Sequence, residues 1–292
     1  MLLPWLDLPG ARATLDEWSQ ASGLDLVRLG STATADEVRD TAVAQPLLTA
    51  AALLTADAVL GDDRPDVVCG HSVGELPALA VAGVLHAATA VRLAAERGRA
   101  MADAAALRPT GMSALLGADL AAAASAAKVH GLSVATVNGA KQVVVGGPVD
   151  GLAGLAAAPP AGVRVRPLDV AGAFHTPAML AAVSGFWNVL QDVAPQDASC
   201  AVVTNADGAV VTSGRDLLDR LLAQLTSPVR FDLCLDRLAE LGVTAVVELA
   251  PGGTLAGIAK RALPGVPVVA VASSEDLPAA RALFAARSVA TA

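Results

Sequence analysis

Gly70-His71-Ser72-Val73-Gly74-Glu75 decides how this chain is read. A short apolar run, Asp66-Val67-Val68-Cys69, comes before it, and an Ala/Leu/Val-rich helical pattern follows. A G-x-S-x-G sequence at a strand-to-helix junction is a nucleophile elbow, a sharp turn that leaves its serine exposed at a helix N-terminus. The two glycines supply the conformational freedom for that turn. Ser72 is therefore the expected nucleophile, and the Val73 N–H is placed to help hold a developing oxyanion. The competing reading is a plain tight turn.

Upstream of the elbow, residues 13–28 predict a helix with Leu15, Trp18 and Leu24 on its apolar side. Residues 42–60 predict a longer one through Gln45-Pro46, ended by Gly61-Asp62-Asp63-Arg64-Pro65. Downstream, two helices are expected over 73–84 and 88–106. Strand alternating with helix in this way predicts an α/β architecture with a parallel sheet. The middle of the chain changes character. Strands at 112–116, 133–137, 142–145 and 163–170, with helices at 118–128 and 149–156, give β-α-β-β-α-β, the split ferredoxin-like order. Residues 110–172 are therefore expected to form a small unit inserted into a larger one made of 1–109 and 173–292. Strands near 201–204, 245–249 and 266–271 resume the larger unit.

The composition bounds the function. Apolar residues make up 54% of the 292 and charged residues 16%, a globular balance. A formal net charge of −8 argues against nucleic-acid binding, which needs a positive face to neutralise phosphates. There is no tyrosine, so no phenol can act as catalytic acid or base. Cys69, Cys200 and Cys234 are widely spaced and odd in number, as expected of free thiols in a reducing cytoplasm. Neither they nor the four histidines have zinc spacing, so no metal is expected. The first residues lack the basic start of a signal peptide. The apolar stretch 76–91 carries Pro77, His86 and Thr89 and is too short to span a membrane.

A serine hydroxyl needs a base within hydrogen-bond reach. His71 adjoins Ser72, but neighbours on an elbow point apart. His86 and His130 read as surface residues. His175 lies in Ala171-Gly172-Ala173-Phe174-His175-Thr176-Pro177, a loop directly after the last strand of the inserted unit, and is the expected base. A guanidinium facing inward from the helix around Glu96-Arg97-Gly98-Arg99 could clamp a substrate carboxylate. Spacing alone does not separate Arg97 from Arg92 or Arg99.

These pieces together resemble the malonyl-CoA:acyl carrier protein transacylase family, whose fold is shared by the acyltransferase domains of polyketide synthases. The matching segments, in family order, are Val43-Ala44-Gln45-Pro46, the elbow, Glu96 to Met101, Asn138 with Gln142-Val143-Val144, Gly172 to His175, Ser227-Pro228-Val229 and Glu248 to Gly252. The resemblance implies an α/β-hydrolase-like large subdomain, a ferredoxin-like small one, and an active site in the cleft between them. It implies Ser72 as nucleophile and His175 as base, oriented by a backbone carbonyl at Ser227 in place of an aspartate. It singles out Arg97 for the malonyl carboxylate, with Gln45, Asn138 and Phe174 also at the substrate. The bulk of Phe174 would crowd a methyl branch.

The implied reaction is ping-pong. Ser72 takes the malonyl group from malonyl-CoA and passes it to the phosphopantetheine thiol of acyl carrier protein, for fatty acid or polyketide synthesis. No cofactor is implied, and the resemblance leans towards a cytoplasmic monomer without membrane or nucleic-acid partners. Arg164, Arg166, Lys260 and Arg261 are candidates for steering an acidic carrier protein. One family feature is not matched: the first strand and its Gly-Gln-Gly-Ser-Gln loop, which lends the second oxyanion donor. Leu3-Pro4-Trp5-Leu6 looks like the segment after that loop, so the natural protein is expected to start further upstream. Two alternatives remain at this point: a transferase or thioesterase for another acyl group, and a catalytically weak module that only binds the carrier protein.

Overall fold

The computed structural model describes residues 1–139 and 141–290. After a 3-10 turn at Leu3–Trp5 come helices α1 (Ala11–Ser22), α2 (Leu26–Ser31), α3 (Ala35–Arg39) and α4 (Thr41–Leu60). The single helix expected over 13–28 is broken at Gly23, whose φ of +70° closes α1, and Asp25 then caps α2 through Arg28 N. Asp40 caps α4 in the same way, accepting from Ala42 N. By length and composition α4 could cross a membrane, but most of it is buried inside the fold, and it reads as a core helix.

Strand β1 (Val67–Cys69) leads through the elbow to α5 (Glu75–Val81) and α6 (Ala87–Ala106). Helix α6 lies close against α4 because Gly98 has no side chain. A Cβ there would sit 2.5 Å from the Thr41 carbonyl oxygen. Gly98→Ala therefore forces two packed backbones apart, a kind of overpacking that costs about 1–3 kcal/mol. The expected result in a thermal melt is a Tm lowered by several degrees; an unchanged Tm would show that the two helices can separate freely.

The middle of the chain follows the expected order: β2 (Thr110–Leu116), α7 (Leu120–Val129), β3 (Ser133–Val137), β4 (Gln142–Pro148), α8 (Val149–Ala157) and β5 (Arg164–Pro167). These strands lie side by side as β5-β2-β4-β3, with antiparallel neighbours, the ferredoxin-like arrangement. Alternation along the strands gives the sheet two apolar faces. Val143 and Val145 pack with Ala123, Ala127 and Leu155 of α7 and α8. Val144, Met112, Ala114 and Ala135 form the other face, and Phe174 packs against it. The small sheet is thereby seated on the loop that carries His175. His130, expected at the surface, is half-buried against α8, where Gly151 and Gly154 leave room for it.

The remainder runs α9 (Leu180–Gln191), β6 (Ala201–Val203), β7 (Val210–Val211), α10 (Gly214–Ala223), β8 (Val229–Arg230), α11 (Phe231–Glu240), β9 (Val246–Glu248), α12 (Thr254–Ala262), β10 (Val268–Ala270) and α13 (Leu277–Ala290). Two features depart from the sequence reading. Two-residue β8 joins the small sheet as a fifth strand, parallel to β3, and ties it to the large unit. The large unit's strands form separate sets: β1 parallel to β6 with β7 antiparallel beyond it, and β9 parallel to β10. Among the described residues no strand pairs with the outer edge of β1 or β9, and all six residues of those strands are half-buried.

Candidate active site

The elbow is built as its glycine pattern requires, with one difference. A Cβ on Gly70 would collide with the Gly74 carbonyl, so the close approach needs glycine at 70. Gly74 itself has φ −60° and open space around its Cα, so the turn does not demand glycine there. The strain falls on the serine: Ser72 has φ +54°, a left-handed conformation that costs a non-glycine residue about 1–2 kcal/mol. Asn205, in the β6–β7 connection, holds the turn from the side. Its Oδ1 accepts from Ser72 N at 2.8 Å, and its Nδ2 donates to Gly70 O at 2.6 Å. Gly74 N donates to His71 O at 2.9 Å. Of the turn's three amides, Val73 N–H is left without an acceptor in the described structure.

His175 approaches from the loop after β5, also in the left-handed region (φ +61°). Its Nε2 lies 2.7 Å from Ser72 Oγ, and its Nδ1 lies 2.8 Å from the Gln224 carbonyl oxygen. A carbonyl only accepts, so Nδ1 carries the proton and Nε2 is free to accept the serine hydroxyl. The carbonyl is thus Gln224's, which corrects the expectation of Ser227, three residues later. Gln224 caps the C-terminal end of α10, where carbonyls lack intrahelical partners, and this one faces the imidazole. Ser227 instead donates its N–H to the same oxygen, at 3.4 Å.

Burial pushes the His175 imidazole down to about 3, with the Arg97 charge adding to the effect and the Gln224 carbonyl opposing it. The base form is present above that value. The rate at which a neutral organophosphate modifies Ser72 is therefore expected to stay level from pH 8 down to 5. An acid limb centred near 6.5 would mean an imidazole exposed to water.

Arg97 stands in the middle of α6 and is fully buried. Nη1 donates to Gln45 Oε1 at 2.7 Å, and Nη2 donates to Gln224 Oε1 at 2.6 Å, with Ser72 Oγ 3.4 Å away. Its Nε has no partner. Burial lowers the guanidinium to about 10, and Glu75 acts against the fall, so it stays charged at neutral pH. Geometry thereby separates Arg97 from Arg99, which pairs with Glu96 at the surface, and from Arg92, half-buried on the same helix.

The remaining expected residues are placed less closely. Asn138 Oδ1 accepts from His71 Nε2 at 2.8 Å, so that oxygen is already committed. His71 sits edge-on to Phe231 and does not point at the serine. Phe174 is partly buried between the small sheet and the main core. Lys260 and Arg261 lie in the last turn of α12, while Arg164 and Arg166 lie on β5. Glu248, from another matching segment, caps α12 by accepting from Gly253, Leu255 and Ala256 N–H groups. Among the described residues no cluster of three or more His, Cys, Asp or Glu is placed to hold a metal.

Three site residues went unread in the sequence. Gln224 and Asn205 are polar residues at the ends of ordinary elements. Glu75 closes the elbow motif and is buried beneath it, accepting from Asn205 N and Gln224 Nε2 at 2.7 Å each. The turn signal Asn205-Ala206-Asp207-Gly208 after a strand could have drawn attention to the first of them.

A hydroxyl bonded to a neutral imidazole, on a strained turn beside a free backbone N–H and a buried guanidinium, suits attack on an acyl group bearing a negative charge. Residues 11–283 match the acyl transferase domain family. The chain is 49% identical over 284 residues to the malonyl CoA-acyl carrier protein transacylase of Mycolicibacterium smegmatis, covering 95% of this chain and 98% of that one. It is 50% identical over 281 residues to its counterpart in Mycobacterium tuberculosis, covering 95% and 93%. The crystal structure of the MCAT from Mycobacterium tuberculosis superposes with a TM-score of 0.92 at 49% identity, over 96% of this chain and 94% of that one. A malonyl-transacylase in complex with a type II PKS acyl-carrier protein gives 0.89 at 28% identity, over 97% and 94%. The chain belongs to the malonyl CoA-acyl carrier protein transacylase family.

Proposed function

We propose that the chain transfers a malonyl group from malonyl-CoA to the phosphopantetheine thiol of acyl carrier protein for fatty acid biosynthesis, through an ester on Ser72. The observation that carries this is the convergence on one oxygen: Ser72 Oγ is 2.7 Å from His175 Nε2 and 3.4 Å from Arg97 Nη2. The first half-reaction begins when His175 takes the serine proton as Oγ attacks the thioester carbonyl. The tetrahedral oxyanion is held by Val73 N–H, and CoA leaves as a thiol with the proton from His175. In the second half-reaction the carrier thiol gives its proton to His175 and attacks the ester carbonyl; the bond to Ser72 Oγ breaks, the serine oxygen takes the proton back from His175, and the malonyl group leaves on the carrier as a thioester.

Arg97 binds the malonyl carboxylate and is held in place by Gln45 and Gln224. The carbonyl of Gln224 keeps His175 in the reactive tautomer. Phe174 walls the acyl pocket. Asn138 acts indirectly, by fixing His71 across the cleft from the small sheet. We read the boundary of the small subdomain at residues 110–172, the large one being 1–109 and 173–292, and the setting as cytoplasmic. The thioester arrives already activated, which is why the reaction as read calls for no cofactor.

The test is transfer to carrier protein with and without its phosphopantetheine arm. Malonyl appears on the holo form only. Malonate released faster than it is transferred would favour a thioesterase instead.

A further inference from the structure

Two buried charges share this site without touching. Arg97 is fully buried, and Glu75, on the turn below Ser72, is 6% exposed. The Gln224 side chain lies between them. Its Oε1 accepts from Arg97 Nη2 at 2.6 Å, and its Nε2 donates to Glu75 Oε2 at 2.7 Å. The same amide nitrogen is 3.0 Å from Asn205 Oδ1 and 3.4 Å from Ser72 O. Arg220 also bears on Glu75, but it is paired with Asp207 and Asp216 at 3.0 and 3.1 Å. Glu75 is the acid whose charge bears on Arg97.

From this arrangement we infer that Glu75 is a positioning residue for the carboxylate clamp, acting through Gln224 and setting the preference for a charged acyl group. A primary amide can face either way, and only its oxygen can accept from a guanidinium. The anion at Glu75 demands the NH2 end and so turns the oxygen towards Arg97. A direct Glu75–Arg97 ion pair would have used up the guanidinium's charge. With the amide between them, Glu75 balances that charge at a distance and leaves guanidinium N–H groups, the unpartnered Nε included, for the substrate. Burial pushes the Glu75 carboxyl up to about 7 against the pull of the Asn205 N–H and the Arg97 charge, so the anion that orients the amide is the form that prevails above that value.

The inference rests on the malonyl-transfer reading. One experiment separates the two: initial rates of Ser72 acylation from malonyl-CoA and from acetyl-CoA, for the wild type, Glu75→Gln and Gln224→Ala. Glu75→Gln keeps shape and removes the anion. Gln224→Ala removes the bridge but keeps the main-chain carbonyl that holds His175. For Glu75→Gln the expected result is a KM for malonyl-CoA raised about tenfold or more, with acetyl-CoA parameters within about threefold of wild type; for Gln224→Ala it is a malonyl-to-acetyl ratio of kcat/KM lowered about tenfold or more. If both substrates decline in proportion, or neither changes, Glu75 only supports the fold and the inference is overturned. A wild type that does not prefer malonyl-CoA would show the functional reading, not this inference, to be at fault.

Discussion

Arg97→Ala is expected to lower kcat/KM for malonyl-CoA by about 10²–10³-fold while leaving acetyl-CoA within about threefold of wild type. The size follows from the environment. Losing one partner of a buried, hydrogen-bonded charge pair costs about 2–5 kcal/mol, whereas an exposed pair is worth about 1 kcal/mol or less. Arg97 is wholly buried, and its Nη groups are fixed by Gln45 and Gln224, so the guanidinium is held in place before substrate arrives. Acetyl-CoA has no carboxylate and does not depend on that contact. Lysine is no substitute, because an ammonium cannot present a planar fork to Gln45, Gln224 and a carboxylate together. Steady-state kinetics with both substrates decides it. A proportional loss on both would mean that Arg97 serves the serine or the fold and not the substrate's charge.

The second large effect is on the base. His175→Ala is expected to slow Ser72 acylation by about 10⁴-fold or more, as loss of the base does in other serine nucleophile systems. No other histidine can step in. His71, one residue from the serine, gives its Nε2 to Asn138, and burial lowers its basicity as well. His86 lies at the N-terminal end of α6 and is exposed. Stopped-flow measurement of CoA release reads the acylation step directly. A loss below tenfold would assign the proton to another acceptor.

The chain's local signals carried much of this architecture. The elbow, the β-α-β-β-α-β run and the long helices are set by short-range patterns of glycine and apolar residues, which a sequence displays. The break at Gly23 follows from the same chemistry but was not read, the expected helix having run unbroken over 13–28. What stayed hidden depends on contacts between distant segments. β8 is two residues long and exists because β3 offers it an edge. The separation of β1–β6 from β9–β10 is likewise a matter of which strands meet. Within the site, Ser72 and His175 were legible because their chemistry is uncommon and their surroundings distinctive. Gln224 was not: which carbonyl at the end of a helix faces an imidazole 49 residues away is decided by how α10 docks. The choice of Arg97 over its neighbours likewise depended on resemblance first and on burial afterwards.

The central claim is that Ser72 carries the malonyl group. Intact-protein mass spectrometry after brief exposure to malonyl-CoA, with Ser72→Ala alongside, tests it most directly. The account predicts a single malonyl-sized increment on the wild type and none on the variant. An unmodified wild type, or an increment that persists on the variant, would contradict it.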